Sequence, residues 1–163
     1  MQENNNISIK DFTKEKGHRD INIYTLEKSI TICGKMYKRK AMEFLICKKH
    51  SLKNSIIKIN EFINFIAKDW KDNIIKEICK DMNITEEEKI KWFNLLELYY
   101  LRFCIRETGE MVANIYFIEK TNEEDDNIIH NVLFVENKIE SIIINCGDCY
   151  DIEGNVNKYL NWK

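Results

Sequence analysis

The sequence predicts a single α+β domain in which two long helices pack on a mostly antiparallel β-sheet. Three observations predict it. Apolar residues recur at three- and four-residue steps from about Ser55 to Lys80. A second stretch of this kind opens at Thr85 and runs to Gly109. After Gly109 the apolar period drops to two. The chain of 163 residues is about one domain long. It has no proline and five glycines, so elements should be long and loops short.

Residues 1–20 are polar and are expected to form a loosely ordered N-terminal segment, with at most a helical turn in "SIKDFTKEKG". The domain proper is expected to span 21–163. Residues 21–33 alternate apolar and polar side chains: Ile21 and Ile23, then Ile30 and Ile32, suggest one or two short strands. "CGK" at 33–35 suits a turn. Residues 36–48 admit two readings. Tyr37, Ala41, Phe44 and Leu45 fit a helical face, whereas "EFLIC" fits a buried strand, and the balance leans to strand.

The first helix carries Ile59, Phe62, Ile63, Ile66, Trp70, Ile74 and Ile78 as one wide apolar stripe and closes at "DMN". The second starts at a capping box, Thr85 with Glu88 three residues on, and has three acids in its first turn to suit the helix dipole. It is expected to continue through "KIKWFNLLELYYLRFCIRE" and to stop at Gly109 in a left-handed cap. Trp92, Phe93, Leu95, Leu96, Tyr99, Tyr100 and Phe103 cover most of its circumference, which would place it at the centre of the core. "EMVANIYFIEK", "NIIHNVLFVEN" and "KIESIIINC" then read as three strands, the last two joined by a hairpin at 136–140. "TNEEDDN" at 121–127 is a solvated loop, and Tyr159, Leu160 and Trp162 of the tail are expected to dock back on the body.

Composition bounds the function. At 44% apolar and 32% charged, the chain is neither disordered nor membranous. No window approaches the ~18 uninterrupted apolar residues of a spanning helix, and "MQENNNISIK" lacks the apolar core of a secretory signal. A cytoplasmic location is therefore expected, with all six cysteines as reduced thiols and Cys79 and Cys104 as buried small hydrophobes. The excess of isoleucine, lysine and asparagine without proline suggests A+T-rich coding, which blunts propensity arguments.

Two short spacings could carry chemistry. Cys146 and Cys149 form a C-x-x-C in "INCGDCYDIEG", and Cys47 with His50 form a C-x-x-H in "CKKH". Together they could make a tetrahedral Cys3His zinc site. The pairs lie far apart in sequence and neither has a glycine-rich knuckle, so no metal or other cofactor is expected. Redox use of the C-x-x-C is disfavoured by the two acids of the following "DIEGN", which would raise the thiol pKa. His18, His50 and His130 sit in no nucleophile or metal motif. Nucleophile-elbow, zinc-helix, phosphate-loop and dinucleotide fingerprints are all missing, so an enzyme is not expected.

Charge is more informative. Residues 35–58 carry eight lysines and arginines against Glu43 alone, a net of +7. Residues 107–157 carry twelve acids against Lys120 and Lys138, a net of −10. The plain explanation is that the two segments neutralise each other across the fold. The functional one is oriented contact with a charged partner. The expected function is a protein-binding protein of inhibitor or immunity type, bacterial or phage in origin, that neutralises a basic nuclease or toxin. Its contact residues would be Glu123, Glu124, Asp125, Asp126, Asp148, Tyr150, Asp151 and Glu153. The alternative is a nucleic-acid-binding accessory protein that uses residues 35–58. A structural zinc protein built on Cys47, His50, Cys146 and Cys149 comes third. No membrane partner is expected.

Overall fold

Leu96 is where the predicted architecture and the computed structural model part. The structure describes residues 6–37, 42–69, 74–80, 82–120 and 128–143. The expected second long helix, 85–108, is instead a ten-residue helix (Glu86–Leu95) followed at once by a nine-residue strand (Glu97–Ile105). Leu96 turns extended, with ψ 139°, and ends the helix without glycine. The fold is therefore not two long helices on a sheet. It is a strand-rich α+β domain with one long helix.

In order, the elements are a 3-10 turn (Ile9–Asp11), β1 (Phe12–Lys14), β2 (Ile21–Leu26), β3 (Ile30–Ile32), β4 (Lys35–Tyr37) and β5 (Met42–Cys47). There follow α1 (Leu52–Asp69), a single turn α2 (Lys76–Ile78), α3 (Glu86–Leu95), β6 (Glu97–Ile105), β7 (Met111–Glu119), β8 (Ile128–Val135) and β9 (Lys138–Ile143). Seven strands form one sheet in the order β1-β2-β5-β6-β7-β8-β9. Every neighbouring pair is antiparallel except β5 with β6, which the helices connect as a β-α-β crossover. The hairpin β3–β4 turns at Cys33 and Gly34, both at positive φ (53° and 70°), the geometry that a two-residue hairpin favours.

β6 carries apolar side chains on both faces, and that explains the misread helix. In β6, Leu101, Phe103 and Ile105 point to the core, while Tyr100, Arg102 and Cys104 point to the other face. On the core side, α1 lays Ile59, Phe62, Ile63 and Ile66 against the sheet. Phe62 meets Phe103 and Phe134 edge-on, with ring centroids 5.6 and 5.1 Å apart, and Phe103 stacks on Phe44 at 5.1 Å. Ser51 starts α1 by accepting the Asn54 N–H at 3.2 Å.

The stretch expected to be loose contains the 3-10 turn and β1. It is tied to α1 by Asn60, whose side chain accepts from the Ile7 N–H (3.0 Å) and donates to the Ile7 carbonyl (2.9 Å). Gly109 takes positive φ (84°) as expected, but in the β6–β7 turn rather than at a helix end. The Thr85–Glu88 capping box forms as read: the Thr85 hydroxyl accepts from Glu88 N–H, and the Glu88 carboxylate accepts from the Thr85 N–H at 2.7 Å. Residues 42–47 are strand, and the three strands after Gly109 lie where the period-two pattern placed them. No described helix is long and apolar enough to cross a membrane.

Candidate functional site

The face of the sheet turned away from α1 holds the densest polar cluster among the described residues. Strand alternation places Glu43 on β5, Tyr100 and Arg102 on β6, Asn114 and Tyr116 on β7 and Asn131 on β8 on this one face. The register puts Glu43 opposite Arg102, Arg102 opposite Asn114, Tyr100 opposite Tyr116, and Tyr116 opposite Asn131. One carboxylate oxygen of Glu43 accepts from both the Tyr100 hydroxyl and Arg102 Nε, each at 2.8 Å. The Arg102 guanidinium lies 5.5 Å from the Tyr100 ring centroid, and the Tyr100 and Tyr116 rings are 5.8 Å apart.

Electrostatics follow from this packing. Burial pushes the Tyr100 phenol well above its ordinary pKa, and the Glu43 charge adds to the effect. For Arg102, burial opposes the charge, but the Tyr100 and Glu43 partners outweigh it and hold the guanidinium protonated. Burial pushes the neighbouring Cys104 thiol up to about 12, so this cysteine is not a nucleophile at neutral pH. Asn114 is 0% exposed, yet neither its side-chain oxygen nor its nitrogen has a hydrogen-bond partner, and the Asn131 side-chain oxygen is likewise unpaired. Each unpaired buried polar group costs about 1–3 kcal/mol. The cluster is thus a satisfied charge network (Glu43, Tyr100, Arg102) beside two unsatisfied amides.

A second, smaller cluster lies on the core face under α3. His130 is 2% exposed, and its Nε2 lies 3.0 Å from Glu119. The other oxygen of that carboxylate accepts from Trp92 Nε1 at 3.2 Å, and the Trp92 and His130 rings meet edge-on at 5.3 Å. Glu119 therefore ties α3 to the β7–β8 pair. His130 Nδ1 is buried without a partner. The cluster holds no serine, cysteine or second carboxylate for a nucleophilic or paired-acid reaction, so its visible work is to dock α3.

The sequence-predicted site residues fare differently. Glu123, Glu124, Asp125, Asp126, Cys146, Asp148, Cys149, Tyr150, Asp151 and Glu153 lie outside the described residues. Cys47 ends β5 and is buried. His50 follows it in a turn, where its Nε2 donates to the Glu107 carbonyl at 2.9 Å. Among the described residues no three metal-ligating groups converge. Along the sheet, β9 ends four strands across and six residues along from Cys47, roughly 28 Å at ordinary strand spacings. Cys146, three residues past that end, adds a reach of only about 10 Å.

Among the described residues of the basic segment, four lysines make contacts within the fold. Lys49 pairs with Glu107, and Lys58 reaches Glu136 (3.3 Å) and the Gly109 carbonyl (2.6 Å). Lys48 bonds to the Arg19 carbonyl, while Lys35 bonds to the Asn94 carbonyl and covers the Phe93 ring at 5.1 Å. Four lysines offered by sequence to a phosphate backbone are thereby engaged. No protein-family model, curated protein or solved structure matches the chain.

Proposed function

We propose that the protein acts by binding a basic protein through its acidic segments, as an inhibitor or immunity-type protein does. One observation carries the reading: the strand order sends both acidic segments out of the same end of the sheet. β7 ends at Glu119, opposite Ile128 at the start of β8, so residues 121–127 leave there. β9 ends at Ile143, opposite Asn131 and three residues from that same margin, so residues 144–153 leave beside them. Glu123 to Asp126 and Asp148, Asp151 and Glu153, far apart in sequence, thus start from neighbouring strands.

The remaining acids of the C-terminal half are mostly occupied. Glu107, Glu110 and Glu136 pair with Lys49, Arg106 and Lys58, and Glu119 holds Trp92 and His130. The proposed acidic contact is therefore confined to the two segments. The basic residues 38–40 precede β5 at this same end, but β5 and β7, from which residues 121–127 leave, are two strand spacings apart, about 10 Å. That exceeds the ~8 Å screening length at physiological salt. A basic partner would meet an anionic patch whose attraction chiefly speeds association and rejects acidic competitors.

The test is affinity capture from lysate with the wild-type chain and with an E123K/E124K/D125K/D126K variant shown by circular dichroism to be folded. The expected result is one or more basic proteins held by the wild type, released as salt rises and lost with the variant. Retention of every partner by the charge-reversed chain overturns the reading.

A further inference from the structure

Among the described residues, five large apolar side chains are more than half exposed: Ile9, Met36, Ile57, Leu95 and Tyr99. Single exposed hydrophobics are ordinary on a protein surface. Three of these five, however, sit at one end of the sheet. Leu95, 76% exposed, ends α3, and two residues on Glu97 opens β6 opposite Ile118 of β7. Tyr99, 52% exposed, is the extra residue of a β-bulge: Leu98 pairs with Phe117 and Tyr100 with Tyr116, so no β7 residue is opposite it. Met36, 69% exposed, lies in β4 between Lys35 and Tyr37. Those two neighbours fix its place. Lys35 Nζ donates to the Asn94 carbonyl at 3.2 Å, and the Tyr37 hydroxyl donates to the Tyr100 carbonyl at 3.3 Å. Both turn toward the α3–β6 junction, so strand alternation directs Met36 outward.

This is the end of the sheet from which residues 121–127 leave. Lys120 Nζ lies 2.9 Å from Glu97, midway between Leu95 and Tyr99, and Glu123 follows three residues after Lys120. Leu95 and Tyr99 are at most about 13 Å apart along the chain, and Met36 is held beside the stretch between them. A standard protein interface covers about 800 Å² on each partner, roughly 30 Å across. The three side chains and the point where the acidic segment departs fit within one such footprint. The two lysines there are engaged, Lys35 by the Asn94 carbonyl and Lys120 by Glu97. Specific interfaces place a few apolar or aromatic anchors inside a charged rim, and those anchors carry most of the binding. Ile57 is equally exposed but lies at the other end of β6, next to Lys58, whose Nζ reaches the Gly109 carbonyl.

We propose that Met36, Leu95 and Tyr99 are the apolar anchors by which the chain holds a basic protein partner. The inference rests on the function proposed above and adds a division of labour to it. The acids set how fast the partner arrives and how strongly salt slows it, while the three side chains set how long the complex lasts. The partner's matching feature is an apolar recess within a basic surface.

Two measurements on the full chain test this. The first places the photo-crosslinking residue p-benzoylphenylalanine at position 95, 99 or 57 and irradiates each protein in lysate. Positions 95 and 99 are expected to crosslink to the same basic protein, and position 57 is not. The proposal is overturned by adducts as strong at 57, by adducts to an acidic protein or to a second copy of this chain, or by no adduct at 95 and 99. The second measurement takes the crosslinked protein in purified form and reads its binding rates by surface plasmon resonance. Met36→Ala, Leu95→Ala, Tyr99→Ala and the E123K/E124K/D125K/D126K chain are compared with the wild type. Leu95→Ala and Tyr99→Ala are each expected to raise koff at least about tenfold while kon and its salt dependence stay unchanged. The charge-reversed chain is expected to lower kon instead. Dissociation as slow as the wild type's in all three alanine variants overturns the anchors and leaves the acidic contact standing. An unchanged kon in the charge-reversed chain overturns the acidic contact itself.

Discussion

Replacing Glu43 by Leu removes the one carboxylate that holds both Tyr100 and Arg102. Its cost can be worked from the geometry. Two hydrogen bonds to a charged acceptor disappear, both 2.8 Å long, and each such bond is worth about 1.5–3 kcal/mol. The sum overstates the loss, because the Glu43 and Arg102 side chains keep 28% and 17% exposure and water recovers part of the interaction. Breaking a fully buried pair from one side costs about 3–5 kcal/mol. For this half-sheltered pair, about 2 kcal/mol is expected. With a urea slope of about 2 kcal/mol/M, that moves the unfolding midpoint down by about 1 M.

The decisive measurement is the double-mutant cycle. Arg102→Met alone leaves Glu43 without its cation and should cost about 2 kcal/mol. Glu43→Leu with Arg102→Met leaves no unpaired charge and puts apolar surface where apolar surface already dominates. The double variant should therefore cost less than the two singles together by at least about 1 kcal/mol. Urea titrations followed by circular dichroism on the four proteins supply the cycle. If the single effects add to within ~0.5 kcal/mol, the two groups are not a coupled pair and the network described for this face is wrong.

Phe103 packs against both Phe44 and Phe62 at the centre of the core, so Phe103→Ala should cost about 3–5 kcal/mol in the same titration, and a loss below ~1.5 would remove it from that position. Gly17 has no room for a side chain: a Cβ would fall 2.5 Å from the Ile21 carbonyl oxygen, so Gly17→Ala should destabilise by about 1–3 kcal/mol, and a neutral result would show that the 18–21 turn gives way freely. Thr85→Ala removes the cap of α3 and should cost about 1 kcal/mol. Glu88 accepts from the Thr85 N–H and hydroxyl, which holds its carboxyl below the usual glutamate range. Its stabilisation is present above the ordinary glutamate pKa and is lost as pH falls through the lowered folded value. Thermal midpoints of wild type and Glu88→Gln should therefore differ at neutral pH and converge as pH falls through the lowered folded value, and a constant gap would contradict the capping geometry.

The long helix was legible because its apolar residues form one stripe with a wet face opposite, and β7 and β8 because short runs rich in β-branched and aromatic residues follow the Gly109 turn. α1 shows a single clean period, and the Thr85–Glu88 pair marked a helix start that the structure keeps. β6 was not legible, for a physical reason. Its aromatic and aliphatic side chains fall at both odd and even positions, so no period of two shows, and "ELYYLRFCI" following a well-capped helix extends that helix's pattern without a break. The signal against helix was residue type. Tyr99, Tyr100, Phe103 and Ile105 favour the pleated conformation, and Gly109, which would close a helix, equally suits the turn it occupies. The second-face cluster was hidden by order. Glu43, Arg102, Asn114 and Asn131 converge only because β5 runs parallel to β6 and β7 and β8 follow in a meander. One mark was available: Asn114 and Asn131 are amides inside strands that are otherwise almost wholly apolar.

The charge split readable in the sequence is two things in the structure. One part holds the fold together: Lys49 with Glu107 and Lys58 with Glu136 join the end of β5 and the start of α1 to the two turns of the meander, β6–β7 and β8–β9. These pairs are exposed, and each adds at most about 1 kcal/mol, but they account for the neighbouring runs of opposite sign without any partner. The other part, Glu123 to Asp126 with Asp148, Asp151 and Glu153, starts from the opposite end of the strands. Charge reversal therefore tests partner binding only when it is confined to that second set. Reversal at Glu107 or Glu136 places a lysine against Lys49 or Lys58, and any binding lost there would report a strained β6–β7 or β8–β9 turn instead of a missing contact.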